Sequence, residues 1–295
     1  MTTTSDRPAT VPRANRIHRS SGQQVGVVLR SVVLWIGALI FLIPYYLLLR
    51  NGLSTNRDIT SPQWTFFPPV LQWSNIPELF NDPTVPMLRS LWNSVVVSIL
   101  QTAGTILLAS MAGYGLARIP FRHANLVFGS ILATLLIPSA VTFVPTFVMV
   151  SSLGWVSTLR GLIIPGMFGA LAAFLFRQQF TTFPRELEEA GRIDGLNYFG
   201  TFWRIVVPNS LPFFAAISTI TFIGSWNSFL WPLVIAQDAS AWTVQVSLST
   251  FLTAQTINLH ELFIAATFSI LPMMLVFIGL QRYIVQGVES TGINS

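Results

Sequence analysis

P-R-E-L-E-E-A-G-R-I-D-G, residues 184–195, is a dense island of charge in a chain whose remaining length is mostly uncharged. The runs flanking it, 161–176 and 205–237, contain no Asp, Glu, Lys or Arg. Working outward, four more such runs lie at 31–49, 90–117, 124–159 and 262–281. A helix crossing a bilayer needs about 20 predominantly apolar residues, and about 17 suffice at the short end. Six spans follow, with the charged island forming a loop between the fourth and fifth. The fourth window is short; Arg177 at its edge can snorkel to the headgroups while the helix continues towards Phe180.

Orientation comes from arginine, which supplies all sixteen basic residues. With the N-terminus in the cytoplasm, twelve of them fall on inner segments and only Arg50, Arg57, Arg89 and Arg160 on outer ones. That asymmetry obeys the positive-inside rule, and an even number of spans returns the C-terminus to the cytoplasm. The formal net charge of +5 is therefore a topology signal. The arginines are dispersed among separate membrane edges instead of forming the stripe that a nucleic acid requires, so no nucleic-acid partner is expected. Residues 1–26 are polar, Arg-rich and almost free of acids, and read as a disordered cytoplasmic arm before a retained first helix. The apolar run after them is too long for a signal-peptide core, and no small-x-small cleavage site follows it.

Missing residue types narrow the chemistry. A P-loop needs a lysine to reach the β and γ phosphates, and this chain has none. Without cysteine there is no disulfide or thiol chemistry. His18, His123 and His260 lie in the arm and two separate loops, with no spacing that suits a metal, so neither metal nor bound cofactor is expected. The acids sit at span edges or in loops, whereas ion-coupled carriers bury ionisable groups within spans. No G-x-S-x-G elbow occurs, and no catalytic residue is assigned.

Several spans are interrupted in a way that a simple anchor does not require. Pro138 and Pro145 break the third run, and Pro208, Pro212, Gly224 and Pro232 punctuate the fifth. Proline in a span frees backbone carbonyls that must face protein or a wet cavity. In G-S-W-N-S-F-L-W-P, 224–232, Ser225, Asn227 and Ser228 accompany that break, with Trp226 or Trp231 offering a ring face to a neutral polar solute. Two readings stay open: these groups line a translocation path, or they bond neighbouring helices while the tryptophans join the interfacial belt.

Outside the membrane, residues 51–89 carry W-T-F-F-P-P and W-S-N-I-P-E-L-F, which suit a short interfacial helix and turns. Residues 238–260 are nearly uncharged and rich in Ser, Thr and Gln. Both are long enough to meet a partner or to serve as passive connections. In the inner loop, Pro184 suits a helix N1 position and Glu186, Glu188 and Glu189 complement the positive end of the dipole. Gly195 suits the C-terminal stop, and a second short helix is expected to begin near Asn197. Leu187, Ala190, Gly191 and Asp194 share one face by helical spacing, where small side chains allow close approach by a partner groove. A helix lying on lipid is the other reading, but its glutamates would be repelled by an anionic inner leaflet.

The pattern E-A-G-x3-G-x9-I-x-V-P, carried by Glu189, Ala190, Gly191, Gly195, Ile205 and Pro208, resembles the E-A-A loop of binding-protein-dependent ABC importer permeases. Gly191 replaces the usual second alanine and Val207 the usual leucine. Gly191 loosens the helix by about 0.8 to 1 kcal/mol relative to alanine. G-Y-G-L-A-R at 113–118, L-I-P-x6-V-P at 136–145, F-I-G-S-W-N-S-F-L-W-P-L at 222–233 and Q-R-Y-I-V-Q-G at 281–287 are similar to the MalG-like branch that imports carbohydrates. The resemblance covers roughly residues 28–290, and the usual basic end of the tail is replaced by V-E-S-T-G-I-N-S.

The resemblance implies an all-α integral membrane fold with six transmembrane helices, of the type I ABC importer permease (MetI/MalG-like) class. It implies a permease domain over 27–290 with a coupling loop at 182–204 and a cytoplasmic tail at 291–295, in a bacterial inner membrane. The implied partners are a second six-helix permease, two P-loop ATPase subunits that hold ATP and Mg, and an extracytoplasmic binding protein delivering a sugar-like solute. Glu186, Leu187, Glu189, Ala190, Gly191, Asp194 and Gly195 would contact an ATPase subunit, and the loop at 238–260 would reach the binding protein. An ion-coupled secondary transporter and an integral-membrane enzyme are the alternatives from other classes.

Overall fold

The computed structural model describes residues 21–253 and 258–292, and among these all regular structure is helical. It divides into two compact units, residues 1–47 and 48–295. The first unit is most of helix α1, Ser21–Gly52, which is apolar through the 31–49 run. The helix begins at Ser21, six residues inside the stretch expected to be a disordered arm; residues 1–20 lie outside the described residues.

The second unit is built on α2, Met87–Arg118, a helix of 32 residues that realises the second uncharged run. At about 1.5 Å per residue, such a helix exceeds the thickness of the hydrocarbon core. The third run, expected as one interrupted span, forms α3, Ala124–Leu135, and α4, Ser139–Ser152, which meet at 99°. Pro138 causes the bend: it has no N–H to continue the ladder, and its extended backbone, ψ 136°, redirects the chain before Ser139. Pro145, inside α4, does not break that helix.

The fourth span, Leu159–Thr181, contains a 3-10 turn at Ile164–Met167 and then α5, Ala170–Thr181. The helix does continue past Phe180, but Arg177 finds a protein partner, its guanidinium carbon 3.8 Å from the centroid of the Phe128 ring. Next come α6, Arg185–Ile193, in the charged loop, and a chain of short helical segments over Tyr198–Asn209. That chain meets α7, Leu211–Trp226, at 82°, just after Pro208 and with Pro212 in the first turn. Gly224 makes no break; the fifth run stops at Asn227 and resumes as Leu230–Ile235. Finally α8, Val244–Thr253, precedes α9, Leu259–Gly292. Among the described residues four helices are long and apolar enough to cross a membrane, and counting each bent pair as one span gives six.

Packing explains why α2 is central. Near Arg118 it contributes Ala109 and Tyr114 to a core with Phe176, Phe180, Phe183, Phe202 and Val206. Close approach there requires Gly113, since a Cβ at that position would lie 2.7 Å from the Arg177 nitrogen and from the Phe176 Cβ. At the Met87 end a second core gathers Leu79, Phe222, Trp226, Val244, Phe251 and Ile264.

Beside the second core, α2 presents a polar stripe at helical spacing. Ser94 Oγ accepts from the Val244 N–H at 2.8 Å, and Ser90 Oγ accepts from the Ser247 hydroxyl at 2.7 Å. Asn93 Nδ2 donates to the carbonyls of Ser240 and Trp242 at 3.0 and 2.9 Å. Segment 238–260, expected as an outer loop, is therefore largely folded onto the body, with Thr243, Val244, Val246 and Ser247 buried. Hydroxyl and amide side chains on α2 satisfy backbone groups that would otherwise hold this segment in water. Residues 254–257 of that loop lie outside the described residues.

Candidate functional site

The charged loop folds into a short helix with defined ends. Pro184 occupies the N-cap of α6, one position before the expected N1, with φ −58° and ψ 124°. The other end is closed by a paired hydrogen-bond motif: Leu196 N–H donates to the Gly191 carbonyl at 2.9 Å and Gly195 N–H to the Arg192 carbonyl at 3.0 Å. Gly195 sits at φ +85°, a left-handed conformation that glycine adopts without a Cβ clash. Asn197 then caps the next helix, its Oδ1 accepting from Gly200 N–H at 2.8 Å. Two turns of helix are thus held by local chemistry outside the spans.

One face of α6 is locked to the body. Glu188 is buried at 3 % exposure, with its Oε1 3.0 Å from Nε of Arg118. Arg118 Nη2 also donates to the Phe183 carbonyl, so one guanidinium ties the end of α2 to the segment leading into α6. Burial pushes the Glu188 carboxyl above the usual range, while Arg118, then Arg192 and Arg185, pull it back down. Treating the glutamates as one repulsive surface overlooks that Glu188 is turned inward and paired. The signal available in the sequence was Arg118, a charge that ends the second apolar run.

Gly191 also faces inward, contrary to its expected place on a partner-facing surface. A Cβ there would lie 2.4 Å from Ile205 Cδ1 and 3.3 Å from Leu196 Cδ1. Its smallness serves the packing of this chain on its own Ile205. Glu186, Leu187, Glu189, Ala190, Asp194 and Gly195 are exposed. Ile193, which sequence reasoning missed, is 87 % exposed on the same outward side.

The structure does not bring the four expected solute-path residues together. Trp226 is 2 % exposed, stacks on Phe222 at 5.9 Å and donates from Nε1 to the Ser269 carbonyl at 3.1 Å, so its ring is a core element. Trp231 likewise donates to the Gly161 carbonyl at 3.0 Å and meets Phe143 edge-on. Ser225 Oγ is buried without a hydrogen-bond partner. Asn227 is exposed, with Nδ2 3.0 Å from the Ile223 carbonyl and Oδ1 accepting from Gln245 Nε2 at 3.4 Å, and Ser228 beside it is half-buried. Among the described residues no group of three His, Cys, Asp or Glu is placed to hold a metal ion.

Broken spans beside one long helix, with a short locked helix between two of them, define a multi-pass helical membrane protein. Residues 105–290 match the family described as the binding-protein-dependent transport system inner membrane component, and the chain belongs to that family. Within it, the chain is similar to the arabinooligosaccharides transport system permease protein AraQ of Bacillus subtilis (strain 168), 31 % identical over 258 residues, 87 % of this chain and 92 % of that protein. It is also similar to the sn-glycerol-3-phosphate transport system permease protein UgpE of Yersinia enterocolitica, 32 % identical over 262 residues, 87 % of this chain and 93 % of that one. The fold is shared with a solved bacterial ABC transporter involved in the import of the acidic polysaccharide alginate, at TM-score 0.75 and 21 % identity, over 90 % of this chain and 99 % of the solved one. The chain is thus a permease of a binding-protein-dependent transport system, a transport subunit of the inner membrane and not itself an enzyme.

Proposed function

We propose that this permease pairs with a second six-helix permease to form the path for a sugar or sugar-like solute, delivered by an extracytoplasmic binding protein. Two separate ATPase subunits hold ATP and Mg and engage this chain through α6, within a coupling loop at 182–204 of a permease domain spanning 27–290. Both termini, including the arm and the tail at 291–295, lie in the cytoplasm. The sugar class rests on relatives named for arabinooligosaccharide and alginate transport, and the glycerol-3-phosphate relative widens it to sugar-like solutes. Asn227, exposed, and Ser228, half-buried, at the break after α7 are the residues of this chain that we assign to the solute path.

A single observation carries the coupling assignment: α6 is fastened on one side by the Arg118–Glu188 pair and bare on the other, where Glu186, Ala190 and Ile193 are exposed. A helix held this way transmits a push received on its free face to α2. Ala190→Trp tests it, because a bulky group there fills the space a partner groove needs while leaving the inward packing alone. The variant chain inserts normally, and the ATPase subunits are lost from the mild-detergent complex or hydrolyse ATP without uptake. Normal uptake with ATPase subunits still bound would remove α6 from the coupling role.

A further inference from the structure

Beside the locked face of α6 is a cleft of about 690 Å³, bounded by the last turn of α2, the connection to α3, and α6 itself. Four arginines line it, Arg118, Arg122, Arg185 and Arg192, against two acids, Glu188 and Glu189. Arg118 and Glu188 are spent on each other at 3.0 Å. Arg192 lies over the Tyr198 ring at 4.8 Å, an interaction that leaves guanidinium N–H groups at its edge free to donate. Arg122 and Arg185 are exposed and take part in no ion pair among the described residues. The cleft thus keeps an excess of positive charge, on forked donors whose geometry suits phosphate oxygens.

Its other wall is apolar: Leu116, Ile119 and Phe121 contribute to the lining, with Ile119 38 % and Phe121 44 % exposed. Leu116 to Arg118 is the last turn of a membrane-crossing helix and Ala124 begins the next, so the cleft opens at the depth of the headgroups. A cationic wall facing an apolar wall at that depth matches an amphiphile with a phosphate head. The geometry points to a binding site for the headgroup of an anionic phospholipid, wedged between the end of α2 and α6. A protein occupant fits less well, because the cleft uses a different stripe of α6. Arg185 lies three and four residues before Glu188 and Glu189, and Arg192 lies four and three after them, so the four share one face. Glu186, Ala190 and Ile193 share the bare face, leaving it open to the ATPase while lipid occupies the cleft. The lipid would brace α6 against α2 beside the ion pair.

The test uses the whole complex, this chain with its partner permease and ATPase subunits, in nanodiscs of phosphatidylcholine and phosphatidylglycerol in equal parts. After detergent washing, mass spectrometry measures the phosphatidylglycerol retained by wild type, by the double variant Arg122→Gln with Arg185→Gln, and by Arg204→Gln. Arg204 is an exposed arginine of the same loop region outside the cleft. The double variant retains on the order of tenfold less phosphatidylglycerol, since each surface arginine contributes several-fold to anionic-lipid affinity. Arg204→Gln retains the wild-type amount, and the ATPase subunits stay bound in every variant. Unchanged retention in the double variant, or an equal loss in Arg204→Gln, overturns the site. Loss of the ATPase subunits from the double variant reassigns the cleft to a protein contact, and displacement of the lipid by millimolar inorganic phosphate reassigns it to a soluble anion; either result also overturns the proposal.

Discussion

Glycine 191 and alanine 190 are neighbours of similar size with opposite roles. Ala190 faces outward, whereas Gly191 is pressed against Ile205, so helix spacing alone put both on the same functional surface incorrectly. Only Ile205 Cδ1, the far end of a rotatable side chain, lies within 3 Å of a Cβ added at 191. Gly191→Ala is therefore expected to come close to neutral: alanine gains about 0.8 to 1 kcal/mol of helix propensity, which offsets an overpacking cost of about 1 kcal/mol. Gly191→Trp has no such escape and destabilises the loop by about 3 kcal/mol or more. Thermal aggregation of the purified permease in detergent measures both. Equal melting of Gly191→Trp and Ala190→Trp would show that position 191 is not inward-facing in the protein.

Among the elements, the third and fifth spans are broken for the reason legible in the sequence, prolines that cannot donate to the ladder, at Pro138 and near Pro208. Less legible was where each break points. After α7 the chain exposes Asn227 while turning Trp226 inward, and a 3.6-residue period cannot tell which of two adjacent residues stays exposed. Asn227 Nδ2 bonds to the Ile223 carbonyl of its own helix end, and its contacts to other helices are long, Gln245 Nε2 at 3.4 Å and Met273 Sδ at 3.9 Å, so its removal leaves helix packing nearly intact. Asn227→Ala is expected to lower uptake severalfold at unchanged complex yield and basal ATP hydrolysis. A hydrogen bond between membrane helices is worth about 0.6 kcal/mol on average. A drop in yield that parallels the drop in uptake would mean Asn227 works as helix glue. The stripe of Ser90, Asn93 and Ser94 on α2 lies at helical spacing but was not singled out from the uncharged run. Its partner segment at 240–247 was not legible, because the contact joins residues about 150 positions apart.

For the whole molecule, the arginine asymmetry makes a definite topological prediction. The chain has no cysteine, so a single cysteine can be placed anywhere without background. Ser20→Cys and Ser290→Cys are expected to resist a membrane-impermeant maleimide in intact cells and to react once the membrane is opened. Gln63→Cys, in the exposed segment after the first span, reacts in both conditions. Labelling of Ser20→Cys from outside would invert the orientation and move α6 to the wrong side for an ATPase. Composition, charge spacing and proline positions by themselves determined a multi-pass helical membrane protein, its broken third and fifth runs and the short helix of the charged loop. Those features depend on interactions within one span's length or on partition between water and lipid, which each residue carries with it. Tertiary structure alone decided that Glu188 is paired with Arg118, that Gly191 and Trp226 are core residues, and that most of segment 238–260 is folded onto α2. Each of those outcomes depends on what a distant part of the chain places opposite the residue, and a local pattern contains no information about that neighbour.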